Sequence, residues 1–116
     1  MHYRFFLSTV LLLIVPGNAF AANAETGKKI FDQSCTYCHK ADYDDKFGPG
    51  LAGVTERRDA AWLDKFLTNP AEMIKTDEYA QTLHENNKYG LTMPSLPEMQ
   101  DAKNRQDVIE YLKTVQ

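Results

Sequence analysis

Two cysteines three positions apart, with a histidine directly after the second, constrain this chain more than any other feature: Cys35-Thr36-Tyr37-Cys38-His39. The 116-residue sequence contains no other cysteine. Four chemistries use such a pair: a disulfide, a zinc site, a dithiol redox centre, or a ligand bound covalently through both sulfurs. The rest of the sequence has to separate them.

Compartment is the first discriminator. Residues 1–24 read MHYRFFLSTVLLLIVPGNAFAANA, with Arg4 as a positive start, an apolar run from Phe5 to Val15, a Pro16-Gly17-Asn18 break and small residues at Ala19 and Ala21. This is the layout of a secretory signal. We read residues 1–21 as that signal, with cleavage after Ala21 or alternatively after Ala24, and residues 22–116 as one domain. Retention as an anchor is the opposing reading, but the apolar core is well short of the roughly 20 residues that a spanning helix requires. No stable membrane insertion is expected. Loss of Arg4 leaves 12 basic against 16 acidic residues, a net charge of −4. A mildly acidic exported domain is a poor nucleic-acid or anionic-membrane binder. In an oxidising compartment a bare cysteine pair would ordinarily close as a disulfide.

Hydrophobic spacing points to an all-α domain. A helix is predicted from Asn23, its cap, with Gly27, Ile30, Phe31 and Ser34 on one face, running directly into the cysteines. Residues 40–54, rich in Asp, Gly and Pro, read as loop. Asp59 caps a second helix whose stripe is Trp62, Leu63, Phe66 and Leu67, ended by Asn69-Pro70. Residues 76–87 form a weaker helix, residues 88–100 are irregular, and a last helix runs from Asn104, as cap, to Val115, with Asp107 in its first turn. No alternation typical of strands is present. Two long loops are more than a compact helical domain of this size normally carries, unless they wrap a bulky ligand. The domain is also small enough that a large cofactor would help hold it together.

The cysteine pair now divides. A disulfide across two intervening residues constrains the unfolded chain little and leaves His39 without a role. A dithiol centre is expected beside a strand-helix-strand unit, which is missing. Zinc needs four ligands, and Cys35, Cys38, His39 and His84 supply a bare count with no second paired motif. The fourth reading fits the spacing. On a continuing helix the cysteines stand one turn apart, about 4.5 Å along the axis. Their sulfurs can then reach two vinyl groups on one porphyrin edge while His39 turns beneath the iron. C-x-x-C-H is the attachment pattern for haem c; a disulfide or metal site stays as the alternative.

With CTYCH near the start, FGPGLAG about ten residues later, AWLDKFLTNPAEM, Met93-Pro94 and the closing DVIEYLKTV in that order, the chain resembles the class I c-type cytochromes along essentially all of the mature sequence. The resemblance implies a cytochrome c fold of about four short helices and long loops around one covalent haem c attached through Cys35 and Cys38. It makes His39 the proximal iron ligand and the Pro49 carbonyl the acceptor for its other ring nitrogen. Pro49 by itself is a rigid turn former between Gly48 and Gly50. The sixth ligand has four candidates: Met73, Met93, Met99 and His84. Met93 sits in the irregular segment between Gly90 and Pro94, and the resemblance selects it. Trp62 reads first as a core aromatic; the resemblance adds an indole N–H donated to a haem propionate, with Arg57 or Arg58 as a further partner. It also implies a close crossing of Gly27 and Phe31 on the first helix against Tyr111 or Leu112 on the last.

The function expected from these readings is a soluble, monomeric periplasmic carrier, not an enzyme. It passes single electrons between a donor and an acceptor that are membrane-bound or periplasmic respiratory enzymes. A haem enzyme or gas sensor with an open sixth site, or a dedicated subunit of an oxidase or reductase complex, is the competing class. Thr36 and Tyr37 have no role in the sequence beyond spanning the turn.

Overall fold

The computed structural model describes residues 21–116. The signal segment expected at residues 1–21 therefore falls almost entirely outside the described residues. Six α-helices follow: α1 Ala24–Ile30, α2 Val54–Arg57, α3 Ala60–Thr68, α4 Pro70–Thr76, α5 Glu78–Glu85 and α6 Ala102–Leu112. A 3₁₀ turn, Pro97–Gln100, precedes α6, and no strand occurs among the described residues. The all-α expectation holds, with α2 and α4 added to the helices read from the pattern.

Local chemistry accounts for most of the boundaries. The Asn23 side chain accepts hydrogen bonds from the Glu25 and Thr26 N–H groups and starts α1, and Asp59 accepts from Trp62 N–H at 2.8 Å to start α3. Such caps satisfy donors that the first turn of a helix leaves without partners. Asn69-Pro70 does end α3, but it also begins α4. Proline needs no N–H at the first helical position, and the Asn69 side chain accepts from Glu72 N–H. Asp77 starts α5 in the same way, through Ala80 N–H.

Three expectations change. The helix from Asn23 does not continue as an α-helix through the cysteines: Phe31–Cys35 form a single π-helical turn, closed by Thr36 N–H to Phe31 C=O at 3.2 Å. The cap of α6 is Asp101, not Asn104, because its carboxylate accepts from both Lys103 and Asn104 N–H. Asn104 lies inside the helix and donates to the Glu98 carbonyl. Asp107 consequently sits mid-helix and is buried, with 1 % of its surface exposed.

The core gathers Phe31, Leu63, Leu67, Met99, Val108, Ile109 and Leu112 from α1 and its π turn, α3, the 3₁₀ turn and α6. Its centre is the crossing of α1 over α6. A Cβ placed on Gly27 would lie 1.8 Å from the Asp107 carbonyl oxygen, so the two backbones touch where no side chain fits. Phe31 packs on Tyr111, as expected, with ring centroids 5.2 Å apart. Gly27 itself meets Asp107 and Val108, about one turn earlier on α6 than Tyr111. Asp107 ties the crossing: one carboxylate oxygen accepts from Asn23 N–H and the other from Lys103 Nζ, each at 2.8 Å. On the far side Arg105 joins α6 to Asp64 of α3 and to the Met99 carbonyl.

Gly27→Ala is expected to destabilise the protein by about 2–3 kcal/mol, because only a backbone shift relieves the overlap; urea unfolding measures this. Burial pushes the Asp107 pKa up, but the hydrogen bonds from Lys103 and Asn23 outweigh it and hold the group below the usual carboxylate range. A depressed folded pKa gives stability that is present above the unfolded value near 4 and lost as pH falls through the folded value. Asp107→Asn should therefore be less stable than wild type at pH 7 by about 1–3 kcal/mol. In unfolding curves collected from about pH 5 down to pH 2 the gap should close.

Candidate haem site

The π turn delivers Cys35 to the core edge, where it is 8 % exposed, next to Phe31 at 1 %. The chain then folds tightly around the Cys35 carbonyl, which accepts from both Cys38 N–H at 3.1 Å and His39 N–H at 2.9 Å. Cys38 is half-buried, and neither cysteine is in a disulfide. Burial, with the Glu98 carboxylate and Cys38 adding to it, pushes the Cys35 thiol up to about 11. A thiol that is protonated at neutral pH is a poor redox nucleophile. Among the described residues no three His, Cys, Asp or Glu side chains gather as a metal site. The raised thiol thus tells against a dithiol centre, and the missing ligand cluster against zinc.

His39 is oriented by the loop that follows. Its Nδ1 lies 2.8 Å from the Pro49 carbonyl oxygen, so Nδ1–H donates and Nε2 keeps its lone pair. The loop is closed onto the motif by Gly48 N–H to the Cys38 carbonyl at 2.8 Å and by Leu51 N–H to the Lys40 carbonyl. Gly48 lies against the imidazole: an added Cβ would come within 2.5 Å of Cε1. Burial lowers the His39 pKa, opposed in part by the Pro49 hydrogen bond. The ring is neutral at pH 7, which is the metal-ligating form.

The remaining candidates separate by environment. Met93 is half-buried against the core, in the irregular segment as expected. Met99 is wholly buried in the 3₁₀ turn and serves as a core residue. Met73 is on α4, beside a cavity it shares with Arg58, Trp62 and Asp77. His84 is on α5, with Nδ1 3.5 Å from the Thr92 hydroxyl.

Trp62 belongs to an aromatic cluster, stacked on Phe66 at 5.1 Å and edge-on to Tyr79 at 5.6 Å. The Arg58 guanidinium lies 3.5 Å from the centre of the Tyr79 ring. Among the described residues, Arg58 Nε and Trp62 Nε1 are buried side-chain donors that have no acceptor. The Asp77 carboxylate is held below its usual pKa mainly by Ala80 N–H, with help from the indole and Arg58, yet the indole does not reach hydrogen-bond geometry with it. Adjacent buried donors without an acceptor fit an anionic group supplied from outside the chain. Arg57, the other arginine considered, donates instead to the Ala52 carbonyl. No sequence pattern marks Asp77 or Tyr79 as neighbours of Trp62; helix spacing alone gives Tyr79 a face, not a partner.

The sequence profile of the Cytochrome c family matches residues 24–116. The chain belongs to that family, as a class I c-type cytochrome. It is 31 % identical over 77 residues to a cytochrome c-553-like protein of Synechocystis, covering 56 % of this chain and 73 % of the relative. It is 41 % identical over 61 residues to cytochrome c-555 of Chlorobaculum tepidum, 49 % of each. Among solved structures it superposes on cytochrome c from Rhodothermus marinus with a TM-score of 0.72 at 29 % identity, covering 79 % of this chain and 75 % of that one. The cytochrome c domain of a Pseudomonas putida protein gives 0.62 at 33 % identity, covering 76 % and 85 %. The family implies haem c and supports an electron-carrier role with redox partners. No helix among the described residues is long and apolar enough to cross a membrane.

In this cytochrome Gly48→Ala should push the imidazole off the Pro49 carbonyl. The expected result is a changed chemical-shift pattern for the His39 ring protons in the haem-loaded protein, with Pro49→Ala, which keeps the carbonyl, much closer to wild type.

Proposed function

We propose that this cytochrome is a periplasmic one-electron carrier whose haem c is attached through thioethers to Cys35 and Cys38 and ligated by His39 and Met93. The carrying observation is His39: a neutral imidazole, fixed by the Pro49 carbonyl, directly after two unpaired cysteines. The bound group would supply the iron valence change. The chain's part is to hold it. His39 keeps one tautomer and one ring plane, an arrangement that raises ligand basicity and restrains motion. Met93 would supply the second protein ligand, a thioether that favours ferrous iron and raises the potential. Arg58 Nε–H and Trp62 Nε1–H would donate to a propionate, the acceptor that both lack. If His39 and Met93 both ligate the iron, the protein would hold it without an open position for a substrate, the arrangement of a carrier and not of an enzyme.

Export accords with this role, with cleavage after Ala21 in preference to Ala24. Cutting after Ala24 would remove Asn23, which both caps α1 and binds Asp107. Donor and acceptor are periplasmic or membrane-bound respiratory proteins.

The reduced-minus-oxidised visible spectrum, with the weak methionine-to-iron band at the red end, tests the ligation. Met93→Ala is expected to lose that band, to bind carbon monoxide rapidly when reduced, and to shift the midpoint potential downward by a measurable part of the roughly 0.8 V that axial ligands command. A band that survives in Met93→Ala would transfer the role to Met73 or Met99.

A further inference from the structure

We propose that Asn87 is a positioning residue: its side-chain amide ties the Met93 segment to the His39 loop and keeps Met93 in place. This rests on the His39 and Met93 ligation read above and assigns what holds it. The Met93 segment has few tethers of its own. Its far end is pinned by the 3₁₀ turn, where Met99 N–H donates to the Leu96 carbonyl at 3.0 Å and the Met99 side chain is wholly buried. Upstream, Leu91 N–H is the last backbone donor before Met93 that has an acceptor among the described residues, and that acceptor is Asn87 Oδ1 at 3.1 Å. The contact from the Thr92 hydroxyl to His84 Nδ1, at 3.5 Å, is too long to hold the segment firmly.

Asn87 is half-buried, and all of its polar atoms beyond the N–H serve this segment. Its carbonyl accepts from Gly90 N–H at 3.0 Å, closing a turn in which Gly90 takes a φ of +64°. Its Oδ1 accepts from Tyr89 N–H at 3.0 Å as well as from Leu91 N–H. Its Nδ2 donates to the Phe47 carbonyl at 2.8 Å, 40 positions back along the chain. Phe47 immediately precedes the Gly48 that abuts the His39 ring. The Phe47 and Tyr89 rings meet edge-on, with centroids 5.6 Å apart, a second contact between the same two segments.

The turn itself needs only the carbonyl and Oδ1 of Asn87. The Nδ2 bond is surplus to the turn and joins the two sides of the site. With Oδ1 already fixed by two donors, the amide plane is set, so the cross-bond forms at little further loss of side-chain freedom. An aspartate here would keep both acceptor bonds, but an ionised carboxylate has no donor and would face the Phe47 carbonyl oxygen with a lone pair. Asn87→Asp therefore separates shaping the turn from tying the segments.

The test measures carbon monoxide binding to the reduced, haem-loaded protein at pH 7. Carbon monoxide must displace Met93, so its rate reads how readily Met93 leaves. Asn87→Ala should bind about tenfold faster than wild type and Asn87→Asp about threefold faster, the scale of one or two net hydrogen bonds. Amide hydrogen exchange at Tyr89 and Leu91 should quicken in Asn87→Ala and stay slow in Asn87→Asp. Asn69→Ala, the same change at the cap of α4, is the control for lost stability as such and should leave the binding rate as it is. Rates within about twofold of wild type in both Asn87 variants, with wild type much slower than Met93→Ala, would overturn the inference and leave the ligation standing. Asn87→Asp equal to wild type beside a fast Asn87→Ala would overturn the tie and reduce Asn87 to a turn former. Equal acceleration in Asn69→Ala would overturn it in favour of general loosening. Wild type as fast as Met93→Ala would overturn the Met93 ligation itself, and the inference with it.

Discussion

The contact on which this molecule depends is between two backbones. Gly27 of α1 rests on the Asp107–Val108 peptide of α6, at a distance that excludes even a methyl group. Everything at the N-terminal side of the haem site is suspended from that crossing. It sets the height at which α1 leaves α6, hence where Phe31 meets Tyr111 and where the π turn carries Cys35 to the core edge. Asp107 makes the crossing more than a steric fit. Its buried carboxylate would be costly unpaired, and it is instead bound to the first capping residue and to Lys103. The start of α1 and the middle of α6 therefore order together.

Around that frame the site is assembled mostly from backbone groups. The Cys35 carbonyl closes the motif, the Pro49 carbonyl aims His39, and the Cys38 carbonyl receives the loop that carries Pro49. Side chains contribute where the backbone cannot. The Arg58 and Trp62 donors lie buried without acceptors in the chain, a costly arrangement for a protein that binds nothing there.

Much was legible in the sequence because it was local. Asn23 and Asp59 are capping residues with the right side chains at the right offsets, and the Trp62–Leu67 stripe repeats at helical spacing. C-x-x-C-H is a local pattern too. What was not legible depended on competition between neighbours. Asn104 has good capping chemistry, but Asp101 comes three residues earlier, directly after a 3₁₀ turn, and takes the position. Asn69-Pro70 carries the same letters whether a helix merely stops or a new one starts, and only the packing of α4 decides. The π turn leaves no mark in composition, because Phe31 and Cys35 can share a buried face with either helical bond pattern.

The sequence by itself determined the helical class, the caps at Asn23 and Asp59, the C-x-x-C-H motif and the family, since each rests on spacing along the chain. Only the tertiary structure decided which residues meet across it: Gly27 with Asp107 instead of with Tyr111 or Leu112, Arg58 rather than Arg57 beside Trp62, Met99 in the core while Met93 stays at its edge, and Tyr37 in a row with Phe47 and Tyr89. The physical reason is the same in each case. A cap or a motif is satisfied by atoms a few bonds away, whereas a crossing, a cluster or an exposed face is fixed by how separate segments share one small volume.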